Sequence, residues 1–63
     1  MKKTIYMRLE KSTPGAIQYK EVDDNDKVIP QKDAVVGSLY VRKDKIKGTI
    51  PEFIKVVITE AEE

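Results

Sequence analysis

A short phrase of alternating apolar and polar residues occurs twice in this chain. Residues 4–11 read TIYMRLEK, and residues 38–45 read SLYVRKDK. Each copy begins with a hydroxyl residue, an aliphatic residue, Tyr, a second aliphatic residue and Arg, in that order. Because successive side chains of a β-strand point to opposite faces, each copy places its aliphatic residues on one face and its Tyr and Arg on the other. The pattern predicts strands with one apolar face and one face rich in aromatic and cationic groups.

The period of two continues through most of the chain and predicts an all-β fold. We expect two antiparallel hairpins that form one four-stranded sheet, with at most one short helical turn near residues 43–48. The expected strands cover about residues 3–11, 16–22, 35–42 and 52–59.

The connections carry their own signals. Pro14-Gly15 predicts a type II turn between the first two strands, with Gly15 at positive φ. The polar connection over residues 23–34 is expected to be mobile or to lie along a sheet edge. Gly37, inside the third expected strand, indicates a bulge or a close approach of backbone.

The length of 63 residues indicates a single domain over residues 1–63 with a small core. The chain has no Cys and no His, which are the usual nucleophile, general base and metal ligand in proteins. Asp23-Asp24-Asn25-Asp26 lacks the Gly and Glu spacing of a calcium loop and is interpreted as a solvated acidic turn. We therefore expect no enzyme activity, no catalytic residue, no cofactor and no metal.

Charge alternates along the chain although the formal net charge is only +1. Residues 1–20 and 34–48 are basic, whereas residues 21–33 and 49–63 are acidic. This pattern favours a surface of two signs, or self-complementary contacts between subunits. Since no segment approaches the roughly 20 apolar residues of a membrane span, we expect a cytoplasmic protein with no membrane contact.

A four-stranded sheet needs a cover for its apolar face, and no helix-period segment is long enough to supply one. The sheet must therefore curl into a small barrel or pack against a second chain. The opposite face also retains exposed hydrophobic side chains, which favours a second contact surface. These outward residues are Tyr6, Val36, Tyr40, Phe53 and Val57. We predict a homodimer on this basis.

The candidate partner-binding residues come from the two copies of the repeat. Tyr and Arg are enriched at binding hot spots because they combine contact area, hydrogen bonding and stacking. If the two strands are neighbours, these side chains form a grid on one face. The alternatives are single-stranded nucleic acid bound through the same face, and ordinary strand residues of a structural accessory protein. The candidates are Tyr6, Arg8, Tyr40, Arg42 and Lys43.

Residues 37–43, then Pro51 and residues 54–58, form a pattern that resembles small uncharacterised proteins of bacteria, phages and mobile elements. Some phage proteins of this size are anti-defence factors, including short dimeric inhibitors of the Hachiman system. The resemblance implies a viral inhibitor that acts without catalysis. Together with the residues themselves, it leads us to expect a small homodimeric interaction module that binds and masks a protein partner.

Overall fold

The computed structural model describes residues 1–62, which form four β-strands in one curled antiparallel sheet. The strand order across the sheet is β3-β2-β1-β4. The all-β prediction is confirmed, and each observed strand falls within three residues of its predicted limits. The strands are β1 Lys2–Ser12, β2 Ala16–Val22, β3 Ser38–Arg42 and β4 Phe53–Thr59.

The order of the strands corrects one expectation. The last two strands do not form a second hairpin, because β3 pairs with β2 and β4 pairs with β1 at the opposite edge. Residues 43–52 carry the chain between these edges. The Tyr19 hydroxyl donates to the Pro51 carbonyl at 2.8 Å, and the Leu9 N–H donates to the Glu52 carbonyl at 2.8 Å. These bonds bring the returning chain to the free side of β1.

The third strand is shorter than predicted because Gly37 interrupts the alternation. Gly37 has φ of +86°, in the left-handed region that favours glycine. As a result Val36 packs against the core and Val35 is exposed, which reverses the predicted faces of these two residues. The close approach found at Gly37 is that of a side chain and not of backbone, since a Cβ there would lie 2.7 Å from Oε1 of Gln31.

The connection between β1 and β2 differs from the predicted type II turn. Among residues 1–62, positive-φ glycines occur at 37 and 48, so Gly15 does not take the expected conformation. Thr13 closes the turn instead. Its backbone N–H and its hydroxyl both donate to the Ala16 carbonyl, and the hydroxyl accepts the Ala16 N–H.

Two short 3-10 turns lie in the other connections. The turn Lys43–Lys45 falls within the predicted range near residues 43–48, whereas the turn Gln31–Asp33 was not predicted. The connection over residues 23–34 begins along the edge of β2, where Val22 pairs with Val28 and the Ile29 N–H donates to the Glu21 carbonyl.

The core lies on one face of the curled sheet. Ile5, Met7, Ile17 and Tyr19 are buried there. Side chains from the connections cover them, including Val36, Ile46 and Ile50. The chain thus supplies part of the cover that its sheet requires. Residues 1–62 contain no helix with the length and apolar character that a membrane span requires.

Candidate functional site

The outer face of the sheet, opposite the core, carries the Tyr and Arg residues of both repeats. Arg8 of β1 pairs with Lys20 of β2, which pairs with Ser38 of β3. Since directly paired residues project to the same side, Tyr6 and Arg8 share a face with Tyr40 and Arg42. The predicted two-sidedness of both repeats therefore holds in the structure.

The two repeats do not form one compact grid, because β2 lies between β1 and β3. Tyr6 stands opposite Val22, whereas Tyr40 stands opposite Gln18, four residues along β2. Standard strand spacing and rise then separate the two Tyr residues by roughly 15 Å. The outer face carries two separate clusters, one around Tyr6 and one around Tyr40.

The first cluster is an aromatic pair supported by a cation. The Tyr6 and Phe53 rings stack with centroids 6.1 Å apart and planes at 10°. The Arg8 guanidinium carbon lies 6.0 Å from the Phe53 centroid. Although Tyr6 is 43% exposed and Phe53 is 50% exposed, each ring is held by its neighbour. This pair presents rigid apolar area at a small entropic cost on binding.

Asp26 fixes the arginine of this cluster. The Arg8 Nε donates to Oδ1 of Asp26 at 2.7 Å, and Nη2 donates to Oδ2 in a bidentate pair. This hydrogen bonding lowers the pKa of Asp26 and raises the pKa of Arg8. Asp26 has φ of 62°, a conformation that Asp adopts more readily than most residues. The pair ties the loop after β2 to the outer face of β1.

Carboxylates border the aromatic pair. Tyr6 and Phe53 line a shallow recess of about 230 Å³ together with Asp23 and Asp24. Oδ1 of Asp23 accepts the N–H groups of Asn25 and Lys27, which holds this loop in a turn. Aromatic faces beside carboxylates attract a cationic group through the ring quadrupole and direct charge pairing. The acidic turn, interpreted from sequence as solvated, is exposed but forms part of this recess.

The second cluster is more exposed. Tyr40 is 64% exposed, and its hydroxyl accepts the Nε2–H of Gln18 at 3.0 Å. The Arg42 Nε lies 3.6 Å from Oδ1 of Asp44. Lys43 is half-buried at the strand end, where its backbone N–H donates to the Gly15 carbonyl. This cluster is more basic than the first, since Arg42 and Lys43 lie beside the single carboxylate of Asp44.

Sequence reasoning missed Glu21, a buried carboxylate on the core side of β2. Glu21 is 3% exposed and accepts the N–H groups of Val35, Val36 and Gly37 at 2.8–3.1 Å. Burial acts to raise the pKa of Glu21, but these donors outweigh it and hold the pKa below its ordinary value. The alternation of Ile17, Tyr19 and Glu21 was a signal that this residue faces inward. Its hydrogen bonds indicate a structural role.

No protein-family model, curated protein or solved structure matches this chain. Among residues 1–62, no group of three or more acidic side chains is arranged to hold a metal ion. Functional inference therefore rests on the two outer clusters and on the shape of the molecule.

Proposed function

We propose that this chain is a small non-enzymatic interaction module of the cytoplasm, which works as a homodimer by binding and masking a protein partner. The stacked Tyr6 and Phe53 rings are the observation that carries the proposal. They are half exposed, mutually braced and flanked by a fixed cation and by carboxylates. Central aromatic anchors with a polar surround are typical of protein-binding hot spots.

The carboxylates that line the recess beside this pair favour a protein over a nucleic acid. Asp23 and Asp24 border the rings, and the Arg8 charge is already paired with Asp26. A phosphate backbone near Tyr6 would meet carboxylates, whereas a Lys or Arg side chain of a protein would find an aromatic surface and an acidic rim. The partner that fits this recess presents a cationic side chain.

The shape of the molecule supports the homodimer. The chain exposes 5094 Å², whereas a compact monomer of this mass exposes about 4,100 Å². Its radius of gyration is 12.5 Å, against about 10.6 Å for a compact chain of this length. The excess surface is comparable to the roughly 800 Å² that each partner contributes to a standard interface.

The inhibitor part of the proposal rests on the resemblance to small phage and mobile-element proteins carried by residues 37–43, Pro51 and residues 54–58. A masking inhibitor needs a rigid surface and stoichiometric binding, and it needs no catalytic group. The outer face supplies such a surface. In this view the protein is a viral anti-defence factor.

The test compares two double variants. Tyr6→Ala with Phe53→Ala removes the proposed anchors, and Lys47→Ala with Thr49→Ala is the control, because it shortens two exposed side chains of the connection between β3 and β4 that do not line the recess beside the rings. We expect the wild type to restore phage plaquing on a host that carries the Hachiman system. The anchor variant should lose this effect while its melting curve stays cooperative, and the control should keep it. Equal activity of the two variants would contradict the proposed site.

The second cluster favours one alternative, which is binding of single-stranded nucleic acid. Tyr40 is the more exposed of the two repeat tyrosines, and Arg42 and Lys43 follow it. A base stacked on Tyr40 with phosphates on these cations would resemble other single-strand sites. Titration of labelled single-stranded DNA and RNA at low salt tests this. Binding that weakens steeply with salt and disappears in Tyr40→Ala supports the alternative. A titration that shows no binding of either oligonucleotide contradicts it.

A further inference from the structure

The β4 strand has an unpaired edge whose backbone groups can be assigned. The Leu9 N–H donates to the Glu52 carbonyl, so these two residues bond directly across the β1–β4 pair. Hydrogen-bonded and non-bonded pairs alternate along an antiparallel ladder. Ile54, Val56 and Ile58 therefore direct their N–H and C=O groups toward β1. Phe53, Lys55, Val57 and Thr59 direct theirs away from the sheet.

This edge has little protection against pairing. Within residues 1–62, no backbone hydrogen bond from a loop reaches the residues of β4. The strand reads FIKVVIT, with β-branched and aromatic residues and one charge. Protected edge strands are usually short, bulged, covered or rich in charge and proline. The seven regular residues of β4 have none of these devices apart from Lys55.

We infer that β4 pairs antiparallel with β4 of a second copy, in a register centred on Val56, to form a continuous eight-stranded sheet. This inference rests on the homodimer in the proposed function and names its interface. The two-fold axis at Val56 places Phe53 opposite Thr59 and Lys55 opposite Val57. All of these residues carry outward backbone groups, so every outward N–H and C=O of both strands finds a hydrogen-bond partner in this register.

The neighbouring self-pairing registers are less favourable. A register centred on Lys55 places two ammonium groups directly opposite one another, which is destabilising. A register centred on Val57 leaves Phe53 opposite residue 61, beyond the end of the strand. The register centred on Val56 also joins the half-buried core-side residues Ile54, Val56 and Ile58 across the boundary between the two β4 strands, which we call the seam. The inner apolar row of each copy thus extends into the other.

The other free edge is a weaker candidate. β3 has five residues, and by the same alternation Ser38, Tyr40 and Arg42 direct their backbone groups outward, since the Glu21 N–H donates to the Gly37 carbonyl. It offers fewer hydrogen bonds than β4. Pairing of β3 with β4 of another copy would not close and would build open chains. A β4–β4 pair closes as a dimer.

Proline substitution tests the seam directly. Val57→Pro removes an N–H that β1 does not use, so we expect it to preserve the four-stranded sheet and to block pairing. Val57→Ala keeps the N–H and serves as the control at the same position. Arg42→Pro serves as the control at the other edge, where φ is already −69°. Sedimentation equilibrium should give twice 7.2 kDa for the wild type and both controls, and 7.2 kDa for Val57→Pro.

Cysteine cross-linking tests the register without disturbing the backbone. The chain has no Cys, so each variant carries a single thiol. Val56→Cys places two thiols at a non-hydrogen-bonded pair, where Cα atoms about 4.5 Å apart allow a disulfide. Ile54→Cys places its two thiols roughly 13 Å apart along the seam. We expect mild oxidation to give a covalent dimer with the first variant and monomer with the second.

The results separate this inference from the rest of the proposal. A Val57→Pro protein that stays dimeric, or efficient cross-linking of Ile54→Cys in place of Val56→Cys, overturns the seam and leaves a homodimer built elsewhere. A monomeric wild type at micromolar concentration overturns both the seam and the homodimer. Neither result bears on masking, which Tyr6→Ala alone measures independently because Tyr6 lies on β1, outside the proposed β4–β4 interface.

Discussion

The Tyr6 and Phe53 rings stack on the outer face with their planes at 10°, although they lie near opposite ends of the chain. Their strands pair so that Arg8 stands directly opposite Phe53, and Tyr6, two residues before Arg8 on the same face of β1, meets the Phe53 ring diagonally. The candidate anchor of the interaction surface therefore exists only when β4 returns to the free side of β1. The contact between the two rings therefore gives a way to measure whether β1 and β4 are paired.

Tyr6 and Phe53 should be coupled in stability. Tyr6→Ala and Phe53→Ala each lower the free energy of unfolding, and their double-mutant cycle should show a coupling of about 0.5–1.5 kcal/mol from the aromatic contact. Urea unfolding of the four proteins provides the measurement. Tyr40→Ala combined with Phe53→Ala is the control, and its effects should be additive because the two rings are far apart. Additive effects for the Tyr6 and Phe53 pair would contradict the stacked geometry.

The Asp26 carboxyl should titrate below the ordinary range of Asp, because its hydrogen bond with Arg8 favours the charged form. The stabilisation from this pair is present above the unfolded-state pKa. It is lost as pH falls through the lower pKa of the folded state. NMR titration of the Asp26 side-chain carbon gives the midpoint. Arg8→Ala should move that midpoint up to the ordinary value, and Arg8→Lys should do so only in part, since Lys cannot form a bidentate pair.

Loss of the Glu21 carboxylate should destabilise the whole fold. Glu21→Gln keeps the shape but turns an amide NH₂ toward backbone donors, which costs about 1–3 kcal/mol. For a domain of this size each kcal/mol lowers the melting temperature by about 4–8 °C. The folded-state pKa is lowered, so the stabilisation from Glu21 is lost as pH falls through it, and the variant should lose this part of the acid dependence.

Glu10→Gln is the control for Glu21, because Glu10 is exposed on β1. Thermal melts between neutral and acidic pH compare the two variants. We expect Glu10→Gln to follow the wild type within error. Equal stability of Glu21→Gln and the wild type at neutral pH would show that the carboxylate does not hold residues 35–37.

Gly37→Ala should destabilise the protein for two separable reasons. Positive φ costs an L-residue roughly 1–2 kcal/mol, and the new Cβ would meet Oε1 of Gln31 at 2.7 Å. Gln31→Ala in the same chain should relieve the steric part and leave the conformational part. Gly15→Ala is the matched control, because a Cβ at Gly15 meets nothing within 4 Å. A neutral Gly37→Ala variant would contradict the backbone geometry at this position.

Local pattern predicted the strands well, since the alternation of side chains follows directly from strand geometry. Ile5 and Met7 face inward while Tyr6 and Arg8 face outward, as the spacing indicates. The predicted alternation of inward and outward side chains was wrong at the start of the third strand, where the conformation of a single residue breaks it. At Gly37 a positive φ rotates the chain, and the alternation predicted through Val35 and Val36 is reversed.

The candidate site was only partly predictable for a different reason. Tyr6 and Arg8 were identified from the repeat, but their partners Phe53 and Asp26 belong to distant parts of the chain. Phe53 was recognised as an outward apolar residue and not as half of a stacked pair. No local spacing signals an ion pair between a strand and a loop that follows the next strand.

The sequence by itself determined which segments are strands and which side of each strand is apolar, because the backbone imposes a period of two on every strand. The tertiary structure alone decided which strands are neighbours. Strand order depends on contacts between distant residues, such as those of Tyr19 with Pro51 and of Leu9 with Glu52, which draw the returning chain to β1. The strand order also separates the two repeats, brings the residues of the Tyr6 cluster together and leaves β4 at an open edge of the sheet.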